Sequence, residues 1–139
     1  MHRADFYVLT NQDRQARLLF ACKLSQKAIQ NRLEIGIWAE SDAMAVELDK
    51  LLWTWQPESY LPHALVPAPE KQPPILIGST LEQIPRSFII NLSHTAVPAT
   101  SHSQRVAEIV IQHERVLQQT RQRYREYQER GFQINMHNL

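Results

Sequence analysis

Apolar positions recur along this chain in two rhythms. Short apolar runs at residues 4–9, 34–39, 74–78, 87–92 and 105–111 each read as a buried β-strand. Between the first two, Leu18, Leu19, Cys22, Ile29 and Leu33 recur every three to four positions, as on one face of an amphipathic helix. Met44, Leu48, Leu51, Leu52 and Trp55 repeat that spacing after the second run. Thr10, Asn11 and Asp13 offer capping oxygens for the first helix, which runs to about Arg32, and Ser41 does so for the second. Strand, helix, strand, helix is the order of a parallel sheet with crossover connections. The expected fold is an α/β sandwich on five strands, and residues 1–139 form a single domain.

The middle of the chain breaks both rhythms. Residues 56–74 hold Pro57, Pro62, Pro67, Pro69, Pro73 and Pro74, so no ordinary helix or central strand fits there, and a long connection is expected. Trp53, Trp55 and Tyr60 cluster where the second helix runs into this connection. Periodicity puts Trp55 on the buried stripe and leaves Trp53 free. Aromatic residues at such a seam either close the loop over the sheet or anchor a partner.

The last helix and its tail, residues 115–135, carry arginine at 115, 121, 123, 125 and 130, interleaved with Tyr124 and Tyr127. At about 100° per residue, Leu117, Arg121, Tyr124, Arg125 and Gln128 share one stripe, and Val116, Thr120 and Tyr127 share a neighbouring stripe that faces the core. Gly131 stands where a helix C-cap is expected. Guanidinium groups beside a tyrosine ring make a docking surface for something acidic with an apolar or aromatic end. A solvated helix face, with Glu126 and Glu129 balancing part of the charge, is the competing reading.

Composition narrows the choice. The residues are 43% hydrophobic and 21% charged, as in a folded soluble protein. A net charge of +1 argues against bulk nucleic-acid binding, so any electrostatic role rests on local clustering. Cys22 is the one cysteine, which excludes an internal disulfide, and it reads as a small buried thiol. No signal peptide or membrane-spanning run is visible, and a cytoplasmic location is expected.

Of the three glycines, Gly36, Gly78 and Gly131, none lies in the first strand-to-helix turn, which reads Thr10-Asn11-Gln12-Asp13. Both the dinucleotide fingerprint and the P-loop are therefore missing. The histidines at 2, 63, 94, 102, 113 and 137 include no helical i, i+4 metal pair. No cofactor, no metal and no catalysis are expected.

An ordered set of residues resembles the chi subunit family of the bacterial DNA polymerase III holoenzyme over nearly the whole chain. It runs through Phe6-Tyr7-x-Leu9, Leu48-Asp49-x-x-Leu52-Trp53 and Pro57-Glu58-Ser59-Tyr60-Leu61-Pro62-His63. It continues through Pro74-Ile75, residues 89–92, Arg121-x-Arg123-Tyr124-Arg125-x-Tyr127, Gly131-Phe132 and Asn135. The resemblance implies a Rossmann-like, mostly parallel sheet flanked by helices with no nucleotide-binding loop, and a non-catalytic accessory subunit of the clamp-loader complex. It implies two partners: the acidic C-terminal tail of single-stranded-DNA-binding protein, and a psi subunit. Contact with DNA is indirect in this reading. Arg121, Tyr124 and Arg125 match the family's tail-binding positions, while Leu117 stands where the family usually has lysine. Trp53 and Tyr60 match its psi-binding surface.

Two other classes stay open at this stage. One is an α/β enzyme that uses the loop histidines His94 and His102, which requires a deep polar pocket over the strand ends. The other is a direct nucleic-acid binder that uses the arginine helix, which requires steeply salt-dependent binding of single strands.

Overall fold

The computed structural model describes residues 2–56, 60–68, 72–98 and 104–139. In chain order these form β1 (Arg3–Val8), α1 (Arg14–Gln30), β2 (Ile35–Ala39), α2 (Asp42–Thr54), β3 (His63–Leu65), β4 (Ile75–Gly78), β5 (Phe88–Leu92), β6 (Arg105–Val110), α3 (Glu114–Glu129) and β7 (Gln133–Asn138). The strands build one sheet in the order β3-β4-β2-β5-β6-β1-β7, and every pairing in it is parallel.

The α/β class is as expected, but among the described residues the sheet has seven strands, not five. The two additional strands are its edges. β3 has three half-buried residues inside the proline-rich connection, too short for any rhythm to show. β7 alternates only weakly, because an edge strand is covered on one face at most.

Side-chain alternation divides the core into two layers. Ile35, Ile37, Ile75, Ile77, Phe88, Ile90, Leu92, Ala107 and Ile109 face α1 and α2. Ala4, Phe6, Leu76, Ile89, Val106 and Val110 face the opposite way, toward Tyr127 of α3 and Phe132 beyond it. Helix α1 lays Leu18 on the sheet together with Ala21, Cys22, Ser25 and Ala28, four small residues that permit close approach. Leu19 and Leu33, expected on that face, are 38% and 39% exposed. Ser41 caps α2 as expected, its hydroxyl accepting from Met44 N, whereas no side chain caps α1. Gly36 faces the second layer, where a Cβ would lie 2.2 Å from Ile84 Cγ2, so this strand glycine admits the segment that covers it.

Helix α3 ends in a Schellman motif. Phe132 N donates to Tyr127 O at 3.0 Å and Gly131 N to Gln128 O at 3.1 Å. Gly131 has φ +80, the left-handed region that glycine adopts at no steric cost. The Phe132 ring returns to Tyr127, 4.8 Å between centroids, and the chain continues directly into β7. This cap carries α3 to the edge of the sheet, with β7 beside β1.

Candidate functional site

Besides the apolar contacts of Tyr127, Val116 and Leu117, a buried polar network holds α3 to the sheet. Arg123 and Glu108 are 3% and 2% exposed, and Arg123 Nη1 donates to Glu108 Oε1 at 2.7 Å. Glu108 Oε2 accepts from Tyr127 Oη and from Asn91 Nδ2, each at 2.7 Å. Arg123 Nη2 also donates to Ser93 O, and Val97 N donates to Tyr127 Oη at 3.0 Å. Burial and the adjacent Glu108 carboxylate push the Tyr127 hydroxyl far above its ordinary pKa, so it stays a neutral donor. Of the five arginines in this segment, Arg123 is thus structural. It belongs to the stripe of Val116, Thr120 and Tyr127, which does face the core.

With that stripe buried, the neighbouring one is turned outward. Arg121 and Arg125 are exposed, and neither side chain makes a hydrogen bond or ion pair with any described residue. Tyr124 is 36% exposed, its ring 5.8 Å from that of Phe6 beneath it. Leu117 is half-buried against the α3-side core. Met136 of β7, 50% exposed, pairs in register with Phe6 and so shares its face of the sheet. Periodicity could not assign Met136 without the β7 strand. Arg121, Tyr124 and Arg125 therefore share the outward side of α3, with Leu117 one turn earlier on the helix and Met136 on β7 beside Phe6. The surface is an open ridge.

At the end of α2, Trp53 is 57% exposed and Tyr60 75% exposed. Trp55 packs on the α1/α2 core, as the spacing required. The Trp53 ring rests on the buried His63 ring at 4.7 Å. His63 is held by its two nitrogens, Nδ1 lying 2.6 Å from Leu61 O and Nε2 3.1 Å from Asp49 O. Its role is to support Trp53. Residues 57–59, between Trp53 and Tyr60 in sequence, lie outside the described residues.

At the carboxyl ends of the strands, the neighbours β1 and β6 send α1 and α3 to opposite faces, the position where doubly wound folds bind ligands. The hollow there is about 190 Å³, below the size usual for ligand pockets, about 300 Å³ and above. His94 lies on its rim with Nε2 3.3 Å from a Glu40 carboxylate oxygen, a neighbour distant in sequence. His102 lies outside the described residues. No cluster of three metal-ligating side chains occurs among the described residues. Cys22 is fully buried, which pushes its thiol up to about 12. No helix of the described residues is long and apolar enough to cross a membrane.

These features define an α/β protein with one all-parallel sheet and no phosphate-binding turn, one that presents unpaired cations and aromatic rings on its surface. The family profile described as "DNA polymerase III chi subunit, HolC" matches residues 1–135. The DNA polymerase III subunit chi of Pseudomonas aeruginosa is 33% identical over 142 aligned positions, covering 100% of this chain and 98% of its own. That of Haemophilus influenzae is 29% identical, covering 98% and 96%, and that of Escherichia coli is 25% identical, covering 97% of each. The chain belongs to the DNA polymerase III chi subunit family. Membership makes it an accessory subunit in DNA replication and not an enzyme by itself.

Proposed function

We propose that the chain, a single cytoplasmic domain, links the clamp-loader part of DNA polymerase III to single-stranded-DNA-binding protein by gripping that protein's acidic C-terminal tail. The observation that carries the reading is the pair Arg121 and Arg125, one helical turn apart, exposed and unpaired among the described residues, on either side of Tyr124. Two free guanidinium groups can take a terminal carboxylate and a preceding acidic residue. Tyr124, Leu117 and Met136 supply apolar surface for a terminal ring. A net charge of +1 on the whole chain makes this a local attraction, not a general affinity for polyanions.

A second partner, a psi-type subunit, docks on the opposite end through Trp53 and Tyr60. Large aromatic side chains exposed to this degree on a folded surface are typical interface anchors. Titration of a fluorescent acidic tail peptide against the wild type and the Arg125→Ala and Arg115→Ala variants tests the first contact. Loss confined to Arg125→Ala supports the ridge, and equal losses reduce it to diffuse charge.

A further inference from the structure

On the face opposite α3, helix α1 leaves β1 and β7 partly uncovered, and the gap is a cavity of about 550 Å³, within the range of ligand pockets. Its floor is aromatic. Tyr7 stacks on His137, 4.7 Å between centroids and 12° between planes, with Phe20 5.5 Å from Tyr7. Its walls are cationic: Lys23 and Lys27, one turn apart on α1, and Arg105 from β6. No acidic side chain lines it, and α1 has none from Arg14 to Gln30.

Beneath the floor one buried carboxylate, Asp5, serves two guanidinium groups and an imidazole. It accepts from Arg3 at 3.1 Å, lies 3.0 Å from His137 Nε2, and pairs with Arg105 at 3.6 Å. One carboxylate cannot neutralise both guanidinium groups. Arg105 is engaged, its Nε 3.6 Å from Asp5 Oδ2 and its guanidinium 4.4 Å from the Phe88 ring centroid, whereas Lys23 and Lys27 make no ion pair among the described residues. The cavity therefore carries two uncompensated ammonium groups beside a stack of aromatic rings whose outer face belongs to His137.

We propose that this cavity binds a nucleotide unit, with its base against the Tyr7, His137 and Phe20 rings and its phosphate among Lys23, Lys27 and Arg105. Aromatic platforms bordered by a row of cations are how proteins hold unpaired nucleotides without reading sequence. Ammonium and guanidinium groups both suit phosphate, and it is the rings beside them that favour a ligand with a flat base. This site lies on the other face of the sheet from Arg121 and Arg125, so its failure and that of the tail ridge are independent.

The test is fluorescence anisotropy with short labelled oligo-dT at low salt, alongside dTMP as competitor and an abasic oligomer of equal length. Lys23→Glu/Lys27→Glu, on exposed positions that preserve the fold, should weaken oligo-dT binding at least about tenfold, with Lys50→Glu as an unaffected control. Neutralising one phosphate, or two with its neighbour on the strand, gives a slope of about −0.7 to −1.4 in log K against log salt. The abasic oligomer should bind about fivefold or more weaker, as stacking requires. Competition by dTMP identifies a free mononucleotide as a sufficient ligand, and its failure to compete assigns the unit to a strand. Unchanged affinity in the lysine variant, equal binding of the abasic oligomer, or no binding of oligo-dT and dTMP overturns the proposal. Displacement of oligo-dT by the acidic tail peptide, lost in the lysine variant, would make the cavity a peptide site instead.

Discussion

Arg123 and Glu108 form an ion pair, 2.7 Å from Nη1 to Oε1, closed off between α3 and the sheet. Removing one partner of such a pair leaves the other charged and buried, which costs about 3–5 kcal/mol. Arg123→Met should therefore destabilise strongly in urea unfolding. Arg121→Ala and Arg125→Ala, two residues to either side but exposed, should stay within about 0.5 kcal/mol of the wild type. A double Arg123→Met/Glu108→Met variant should recover much of the loss. Equal costs for all three single variants would mean that the pair does not anchor the helix.

That contrast also shows what was legible in the sequence. The spacing put Val116, Thr120 and Tyr127 on the core stripe but left Arg123, which lies on it too, among the arginines of the segment. The clue lies in β6, RVAEIV, where Glu108 occupies the middle of an otherwise apolar strand and so demands a buried partner. Asp5 in β1 poses the same demand and is met by Arg3, Arg105 and His137. Both helix caps that use a specific residue, Ser41 and Gly131, were readable, as were the five strands with apolar runs. β3 and β7 were not, because edge strands need little hydrophobic patterning. With β7 went Met136 and the aromatic floor of the α1-side cavity, both of which depend on its register.

Asp5 should mark the acid side of the stability profile. Burial alone would raise its carboxyl, but hydrogen bonds from His137 and Arg3 and the charge of Arg105 hold it below the ordinary aspartate range. A carboxyl with a lowered folded-state pKa adds stability above its unfolded value, about 3.9, and that contribution disappears as pH falls through the folded value. Urea midpoints followed from about pH 6 to about pH 2 should thus decline less steeply for Asp5→Asn, which should also start lower. Parallel curves would show that Asp5 titrates alike in both states.

Cys22 should report unfolding. Its thiol is buried and pushed up to about 12, so almost no thiolate exists at neutral pH in the folded chain. Labelling by a thiol reagent should be slow in native buffer and should accelerate with urea in step with the loss of structure. Rapid labelling without denaturant would place the thiol at the surface.

Trp53 should separate partner binding from stability. Truncating a core aromatic costs about 3–5 kcal/mol, but Trp53 is 57% exposed and loses mainly its contact with His63. Trp53→Ala should cost about 1 kcal/mol while abolishing retention of a psi-type subunit on an affinity column. Tyr60→Ala should weaken retention with no measurable change in stability. A core-sized loss for Trp53→Ala would make it structural and sink the interface role.

Leu117 offers the sharpest test of the tail ridge, because it is the apolar member of the stripe that carries Arg121, Tyr124 and Arg125. Exposed ion pairs contribute roughly 0.2–1 kcal/mol each, and a desolvated charged hydrogen bond about 1.5–3 kcal/mol. Together with apolar contact these suggest micromolar binding of an acidic tail peptide, about −8 kcal/mol. Arg125→Ala should then weaken it about tenfold, and Arg115→Ala, turned away from the stripe, should barely register. Leu117→Lys adds a cation one turn before Arg121 but gives up half-buried contact with the core. If charge dominates the ridge, this variant binds a few-fold more tightly at low salt, and the gain fades as salt screens it. If the apolar strip dominates, Leu117→Lys binds more weakly at every salt concentration, and the terminal ring of the peptide is what Leu117, Tyr124 and Met136 hold. A peptide whose affinity ignores Leu117, Arg121 and Arg125 alike does not dock on this helix.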